Sequence, residues 1–201
     1  MKLHYSRNLN PRVAVAVARH LDAPVEYIRT SPMGPDREAF RAINPNTLVP
    51  VLVEADRTLW ETDAIACRLA ALCDPGFWPA DRQAEVLMWV SWSAHHFIPA
   101  GGTFYFENII RPQFLDRPAD AAALAEADSG FRRYGGILDD ILAGRSWLVG
   151  DRPTYADFRV ASALPFAEQA LLPVSGFRHI LAWHDRLNRI DAWRAPFDGL
   201  D

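Results

Sequence analysis

Pro50 stands inside the run Thr47 to Val53, which is otherwise mostly apolar and β-branched and reads as a buried strand. A proline has no amide hydrogen to give to a sheet ladder, so the run is confined to an edge or a turn. A cis Val49-Pro50 bond reconciles the two readings, because such bonds usually fix a tight turn. The turn would face the amide and carbonyl of Val49 outward, where an extended peptide can pair with them. After Ala55-Asp56-Arg57 a second short strand is expected from Thr58 to Trp60. Glu61-Thr62-Asp63 then opens an apolar helical run, Ala64 to Leu72, with Thr62 or Asp63 as its cap. Unpaired first-turn amides and the helix dipole suit such a start to an anion, for example a carboxylate, although acidic residues here also serve an ordinary cap.

An exposed peptide-like edge followed closely by an anion-binding helix start suits a small zwitterionic peptide. The runs NPNTLVPVL from Asn44 and ETDAIACRLA from Glu61 resemble the glutathione site of the glutathione transferase superfamily, whose pattern is NPxGKVPxL followed by E-S-x-A-I. The resemblance implies that Val49, before the cis-proline Pro50, pairs with the cysteinyl backbone of glutathione. It gives the γ-glutamyl end to Glu61 and Thr62. Where the family usually carries lysine, glutamine or another polar residue before the Val-Pro pair, this chain has Leu48; Arg12 or Arg37 are candidates to replace that contact.

Ahead of this stretch, Lys2 to Ser6 reads as a strand, and Asn10 then Pro11 as a cap with proline at the first helical position. The residues that follow, Val-Ala-Val-Ala-Val-Ala from Val13, alternate as a strand would, but the start signal and the alanines favour a helix ending at Asp22-Ala23-Pro24. Val25 to Ile28 is the next strand and Asp36 to Ala42 a short helix. The order β-α-β-α-β-β-α describes a four-stranded mixed sheet with helices on its faces, and it resembles the thioredoxin-like domain of the transferases. Asp74 to Asp81, with two prolines and a glycine, reads as a linker. Beyond it the signals are helical: Arg82 to Ile98, ending at Pro99-Ala100-Gly101-Gly102, an extension from Phe104 to Ile110, and a long helix between Pro118 and Ala143. The expected fold is an α/β thioredoxin-like glutathione-binding domain at 1–74, followed by an all-α helical-bundle domain at 82–201.

Thr154 and Asp157 are spaced as a capping box, with Val149 or another upstream apolar residue as its staple. The same residues match the pattern L-x-G-x-x-x-(S/T)-x-A-D of the transferases' second domain, where the resemblance gives them a structural role.

The family places its thiol-activating residue at the end of the first strand or just before the first helix. Asn8 falls at the serine or cysteine position of some classes, Tyr5 roughly at the tyrosine of others, and Ser6 is a hydroxyl at the strand end; Asn10 is a further candidate. Asparagine is no base, but its side-chain N–H can donate to the glutathione sulfur, and the following helix start favours thiolate over thiol. The second substrate would lie in the cleft between domains, lined by residues of the aromatic segment such as Trp92, His96, Phe104 and Tyr105. On a helix such a stripe is more often core. The reading is a glutathione S-transferase that binds glutathione as co-substrate and attacks a small apolar electrophile. Its alternatives are a glutathione-dependent disulfide reductase or peroxidase, or a non-catalytic glutathione-binding module of the same fold.

Composition bounds the rest. The 201 residues, with a formal charge of −4, offer no basic field for nucleic acid or anionic lipid. No apolar run reaches the length of a membrane span and the first residues lack a signal-peptide core, which reads as a cytoplasmic protein. Cys67 and Cys73 fit neither a redox pair nor a metal spacing and are expected to be packing residues. The pairs His95-His96 and His179 with His184 lack helical ligand geometry, so no metal is expected. By resemblance, and with seven tryptophans in a modest chain, a homodimer is expected.

Overall fold

A computed structural model describes residues 1–31, 34 and 37–200 and divides them into two compact units, 1–81 with 190–201, and 82–189. The second domain drawn from sequence ran to 201. The final residues instead belong with the first unit.

In the first unit, β1 (Lys2–Tyr5), α1 (Leu9–His20), β2 (Glu26–Arg29), α2 (Arg37–Phe40), β3 (Val51–Val53), β4 (Thr58–Trp60) and α3 (Thr62–Cys73) follow the expected order. Asp36, the expected first residue of α2, lies outside the described residues. The sheet order is β2-β1-β3-β4, with β1 parallel to β2 and antiparallel to β3, and β3 antiparallel to β4. This is the thioredoxin-like arrangement. The strand expected over Thr47 to Val53 is shorter and starts only after Pro50, as a residue without an amide donor requires.

The ambiguity at Val13 to Ala18 has a packing cause. All six residues are completely buried, so α1 has no polar face to mark a helical period. The sheet and α3 pack against it, and α10 (Asp191–Arg194) does so from the C-terminal segment. Three arginines hold that segment: Arg12 donates to the carbonyl of Trp193, Arg19 to those of Pro196 and Asp198, and Arg7 to that of Leu200.

The second unit is helical: α4 (Gln83–Trp92), α5 (Ile98–Tyr105), α6 (Arg111–Phe114), α7 (Ala121–Leu142), α8 (Tyr155–Val160) and α9 (Arg178–Leu187). Helical structure is continuous from 83 to 114, because π-helical turns at Ser93–Phe97 and Phe106–Ile110 join α4, α5 and α6. The break expected at Pro99 to Gly102 does not occur. Pro99 follows directly on a π turn, where the hydrogen-bond ladder already changes register. Gly101 is there for close packing, since a Cβ on it would stand 2.8 Å from that of Ala163. Asp120 caps α7 through the amides of Ala122 and Ala123. The expected capping box is present at Thr154 and Asp157, and Asp157 also accepts from the Leu148 amide and the Trp183 indole. Among the described residues no helix is long and apolar enough to cross a membrane.

Candidate functional site

The loop before Pro50 is built by one buried side chain. Asn44 accepts from the Asn46 amide at 3.0 Å and donates Nδ2–H to the Leu48 carbonyl at 2.7 Å, so both ends of its amide are satisfied while the loop closes around it. Thr47 takes a left-handed φ of 55°, is buried, and accepts from Arg37 Nε at 3.1 Å. Leu48 is left 57% exposed, and Val49-Pro50 is cis, as expected. Arg37 Nε is thus engaged with Thr47 and Arg12 Nη2 with the Trp193 carbonyl.

Register then gathers the candidates. Val51 pairs with Trp60 at the end of the β3–β4 ladder, so Pro50 and Glu61 lie directly beyond that pair on the two sides, with Val49 and Thr62 one residue further on. Val51 also pairs with His4, so Tyr5 and Ser6 on β1's side and Pro50 and Val49 on the other leave the sheet at the same end. Val49, Pro50, Glu61, Thr62, Ser6 and Tyr5 therefore collect at one end of the sheet.

The start of α3 differs from the expected cap. Glu61 is the capping residue, with φ of 76°, its carbonyl accepting from the Ile65 amide at 3.1 Å and no side-chain cap bond. Left-handed φ is strained for a residue with a Cβ, and such strain concentrates at functional sites. Thr62 lies inside the helix, buried, and donates Oγ1–H to the Asn10 carbonyl at 3.3 Å. That bond ties the first turn of α3 to the first turn of α1, two positive dipole ends side by side.

α1 begins earlier than Asn10-Pro11 predicted. Asn8 is its cap residue, without a side-chain cap bond, and its carbonyl accepts from the Arg12 amide at 2.9 Å. Pro11 sits at the third helical position instead of the first, which costs no ladder bond because first-turn amides have no intrahelical acceptor. Of the thiol candidates, Asn8 is exposed. Tyr5 is 1% exposed, stacked on Phe197 at 5.8 Å and edge-on to Tyr27 at 6.4 Å, which is a core position. Ser6 Oγ is buried without a hydrogen bond among the described residues.

The aromatic residues of the second unit divide similarly. Phe104 and Tyr105 are buried, against Phe131 and Phe166, and burial raises the Tyr105 phenol above its ordinary pKa. Trp92 and His96 keep accessible surface in a cluster where Trp92 stacks on Phe97 at 6.0 Å and His96 on Tyr134 at 4.9 Å. Cys67 is exposed on α3, which corrects its reading as a packing residue; Cys73 is half-buried, and both are free thiols. His179 Nδ1 lies 3.0 Å from Asp139, whose carboxylate also accepts the His179 and Ile180 amides at the start of α9. Among the described residues no group of three or more histidine, cysteine or carboxylate side chains is placed to hold a metal ion.

Sequence reasoning named Arg12 only as a candidate contact near Leu48, not as a buried residue bonded to the Trp193 carbonyl, and it did not single out the C-terminal segment beside α1. Both features involve backbone carbonyls as acceptors, which leave no mark on side-chain pattern.

Comparison with known proteins bears on both units. The family model "Glutathione S-transferase, N-terminal domain" matches residues 12–72, and "Glutathione S-transferase, C-terminal domain" matches residues 121–186. The chain is 30% identical over 199 residues to Glutathione S-transferase 3 of Zea mays, covering 91% of this chain and 87% of that one. It is 32% identical over 166 residues to Glutathione S-transferase GstB of Escherichia coli strain K12, covering 78% and 77%. Among solved structures, the theta class glutathione S-transferase of Xanthomonas axonopodis pv. citri with glutathione bound superposes with a TM-score of 0.84 at 24% identity, over 96% of this chain and 94% of that one.

Proposed function

The chain belongs to the glutathione S-transferase family, and from that premise we propose that it binds glutathione on its first unit and holds the sulfur as thiolate for attack on a small apolar electrophile. The observation that carries the reading is the bond between Thr62 and Asn10, which sets the starts of α3 and α1 side by side next to the Val49-Pro50 edge. One helix start suits the glutamyl carboxylate and the other suits the thiolate.

In this proposal the Val49 backbone pairs with the cysteinyl residue beside Pro50. The backbone amide of Thr62 and the other first-turn amides of α3 take the glutamyl carboxylate, and exposed Glu61 takes the ammonium. Asn8 donates its side-chain N–H to the sulfur, favoured over Ser6 and Tyr5 because its side chain alone of the three is exposed. The thiol proton goes to solvent, the thiolate forms a carbon–sulfur bond with the electrophile, and a leaving group departs or the product takes up a proton. Trp92 and His96 are the aromatic candidates still open to a second ligand. Isothermal titration with glutathione tests the reading: no binding at millimolar ligand removes it.

We also propose a cytoplasmic homodimer. Exposed Leu87 and Met88 on α4 support the dimer, being apolar surface of the kind that association covers. A monomer mass by sedimentation at micromolar concentration would oppose it.

A further inference from the structure

Alternation along β1 puts the buried side chains of Leu3 and Tyr5 on one face of the sheet and His4 on the other. On the His4 face the strand register lines up Ile28, His4, Val51 and Trp60 across all four strands. An aliphatic residue would suit the place between Ile28 and Val51, where a half-buried imidazole costs desolvation instead. Phe40, from the single turn of α2, meets the His4 ring edge-on at 5.5 Å. Among the described residues Ile28, Arg29, Thr30, Phe40 and Ile43 join His4 in lining a hollow of about 350 Å³, the size of a small ligand cavity.

Hydrogen bonding fixes the state of the imidazole. Thr30 Oγ1 donates its one hydrogen to the Ile28 carbonyl at 3.2 Å, so toward His4 Nδ1, 3.0 Å away, it can only accept. Nδ1 therefore carries the proton of the neutral ring, and Nε2 is a bare lone pair with no hydrogen bond among the described residues. Burial pushes the His4 pKa below its ordinary 6.5, the charge of Lys2 on the same strand pushes it the same way, and Glu26 on β2 opposes them. Neutral imidazole is thus the form present at neutral pH. The other charges nearby are otherwise engaged or exposed: Lys2 lies 3.9 Å from Glu26, Arg37 bonds Thr47, Arg41 pairs with Glu38, and Arg29 is exposed.

We propose that the hollow between α2 and β2 is a ligand site for a small neutral aromatic alcohol of the phenol kind, whose hydroxyl donates to His4 Nε2 while its ring lies against Ile28, Phe40 and Ile43. A carboxylate or phenolate has no hydrogen for that lone pair, and a cation meets Lys2 and Arg29. None of these residues holds glutathione in the function proposed above, so the site stands whether or not glutathione binds.

The test is titration of the protein with phenol and with anisole, which has the same ring but no hydroxyl hydrogen, followed through the ring resonances of Phe40 and His4. At neutral pH phenol is expected to shift them saturably and to bind about fivefold more tightly than anisole, the worth of one neutral hydrogen bond. In His4→Leu, followed through Phe40, the two should bind alike. In wild type the preference should also vanish as pH falls through the His4 pKa, because Nε2 then carries a proton that either oxygen accepts. Equal affinity for phenol and anisole at neutral pH, a preference that survives in His4→Leu, or shifts confined to other residues overturns the proposal. Should His4→Leu fail to fold, the phenol and anisole titrations of wild type across pH decide alone.

Discussion

Replacing Asp157 by alanine should destabilise the protein severely, and by an amount that depends on pH in a direction the structure specifies. Asp157 is completely buried and accepts four hydrogen bonds: from the Leu148 amide at 2.9 Å, the Thr154 amide at 2.9 Å, Thr154 Oγ1 at 3.2 Å and Trp183 Nε1 at 2.9 Å. Alanine leaves three N–H donors buried without an acceptor, each costing about 1–3 kcal/mol; with some relaxation the loss should be about 3–6 kcal/mol. Burial also pushes the Asp157 pKa up, from 3.8 to about 6, against the opposing pull of its hydrogen bonds. A carboxyl whose folded pKa is raised gives stability that is full below pH 3.8 and is lost as pH rises through 6. Between pH 5 and pH 7.5 the wild type should therefore lose about 1–1.5 kcal/mol that the alanine variant, lacking the group, keeps. Urea unfolding of both proteins at the two pH values measures this. A difference between them below about 1 kcal/mol refutes the donor count. A difference that widens from pH 5 to 7.5 would mean the four donors outweigh desolvation, and the reasoning on the pKa would be wrong.

Other substitutions probe the ligand site and the packing. Glu61→Gln should weaken glutathione binding about tenfold, the loss of one charge-assisted hydrogen bond, with unfolding unchanged because the Glu61 side chain makes no cap bond. Thr62→Ala should weaken binding too and also lower stability by about 1 kcal/mol, since its bond to Asn10 is lost; titration and urea melts separate the two effects. Asn8→Ala should raise the pKa of the bound thiol with little change in affinity, and a shift seen instead with Ser6→Ala would transfer the role. Gly101→Ala should cost about 1–3 kcal/mol by overpacking against Ala163. At Gly102, where a Cβ meets nothing within 4 Å, alanine should stabilise by about 0.5–1 kcal/mol in thermal melts.

What the sequence revealed was local. Pro50, the strand Thr58 to Trp60 and the Thr154–Asp157 box depend on residues adjacent in the chain, and all three are found in the structure. The errors sit where a distant partner decides. Thr62 reads as a cap until Asn10 is seen to take its hydroxyl, and the cap falls to Glu61 in a backbone conformation that no propensity favours. Gly101 reads as a helix breaker until Ala163 supplies the reason for a missing side chain. Asp139 closes the start of α9 from another helix, and no spacing within α9 announces it. Along the chain Asn8 was favoured over Ser6 and Tyr5 without a spatial reason; the packing of Tyr5 against Phe197 and Tyr27 supplies one for setting Tyr5 aside.

The placement of residues 190–200 beside α1 imposes an order of assembly. During synthesis α1 emerges early, yet part of its cover is translated only after the whole second unit, a delay on the order of ten seconds or more at ribosomal speeds. Throughout that interval Val13 to Ala18 is an incompletely covered, uncharged, alternating segment of the kind that pairs edge to edge between chains. The nascent chain is thus most exposed to aggregation at α1 until that segment arrives, and chaperone demand should fall when the segment from Ile190 onward is supplied early, as in a circular permutant that places it ahead of β1.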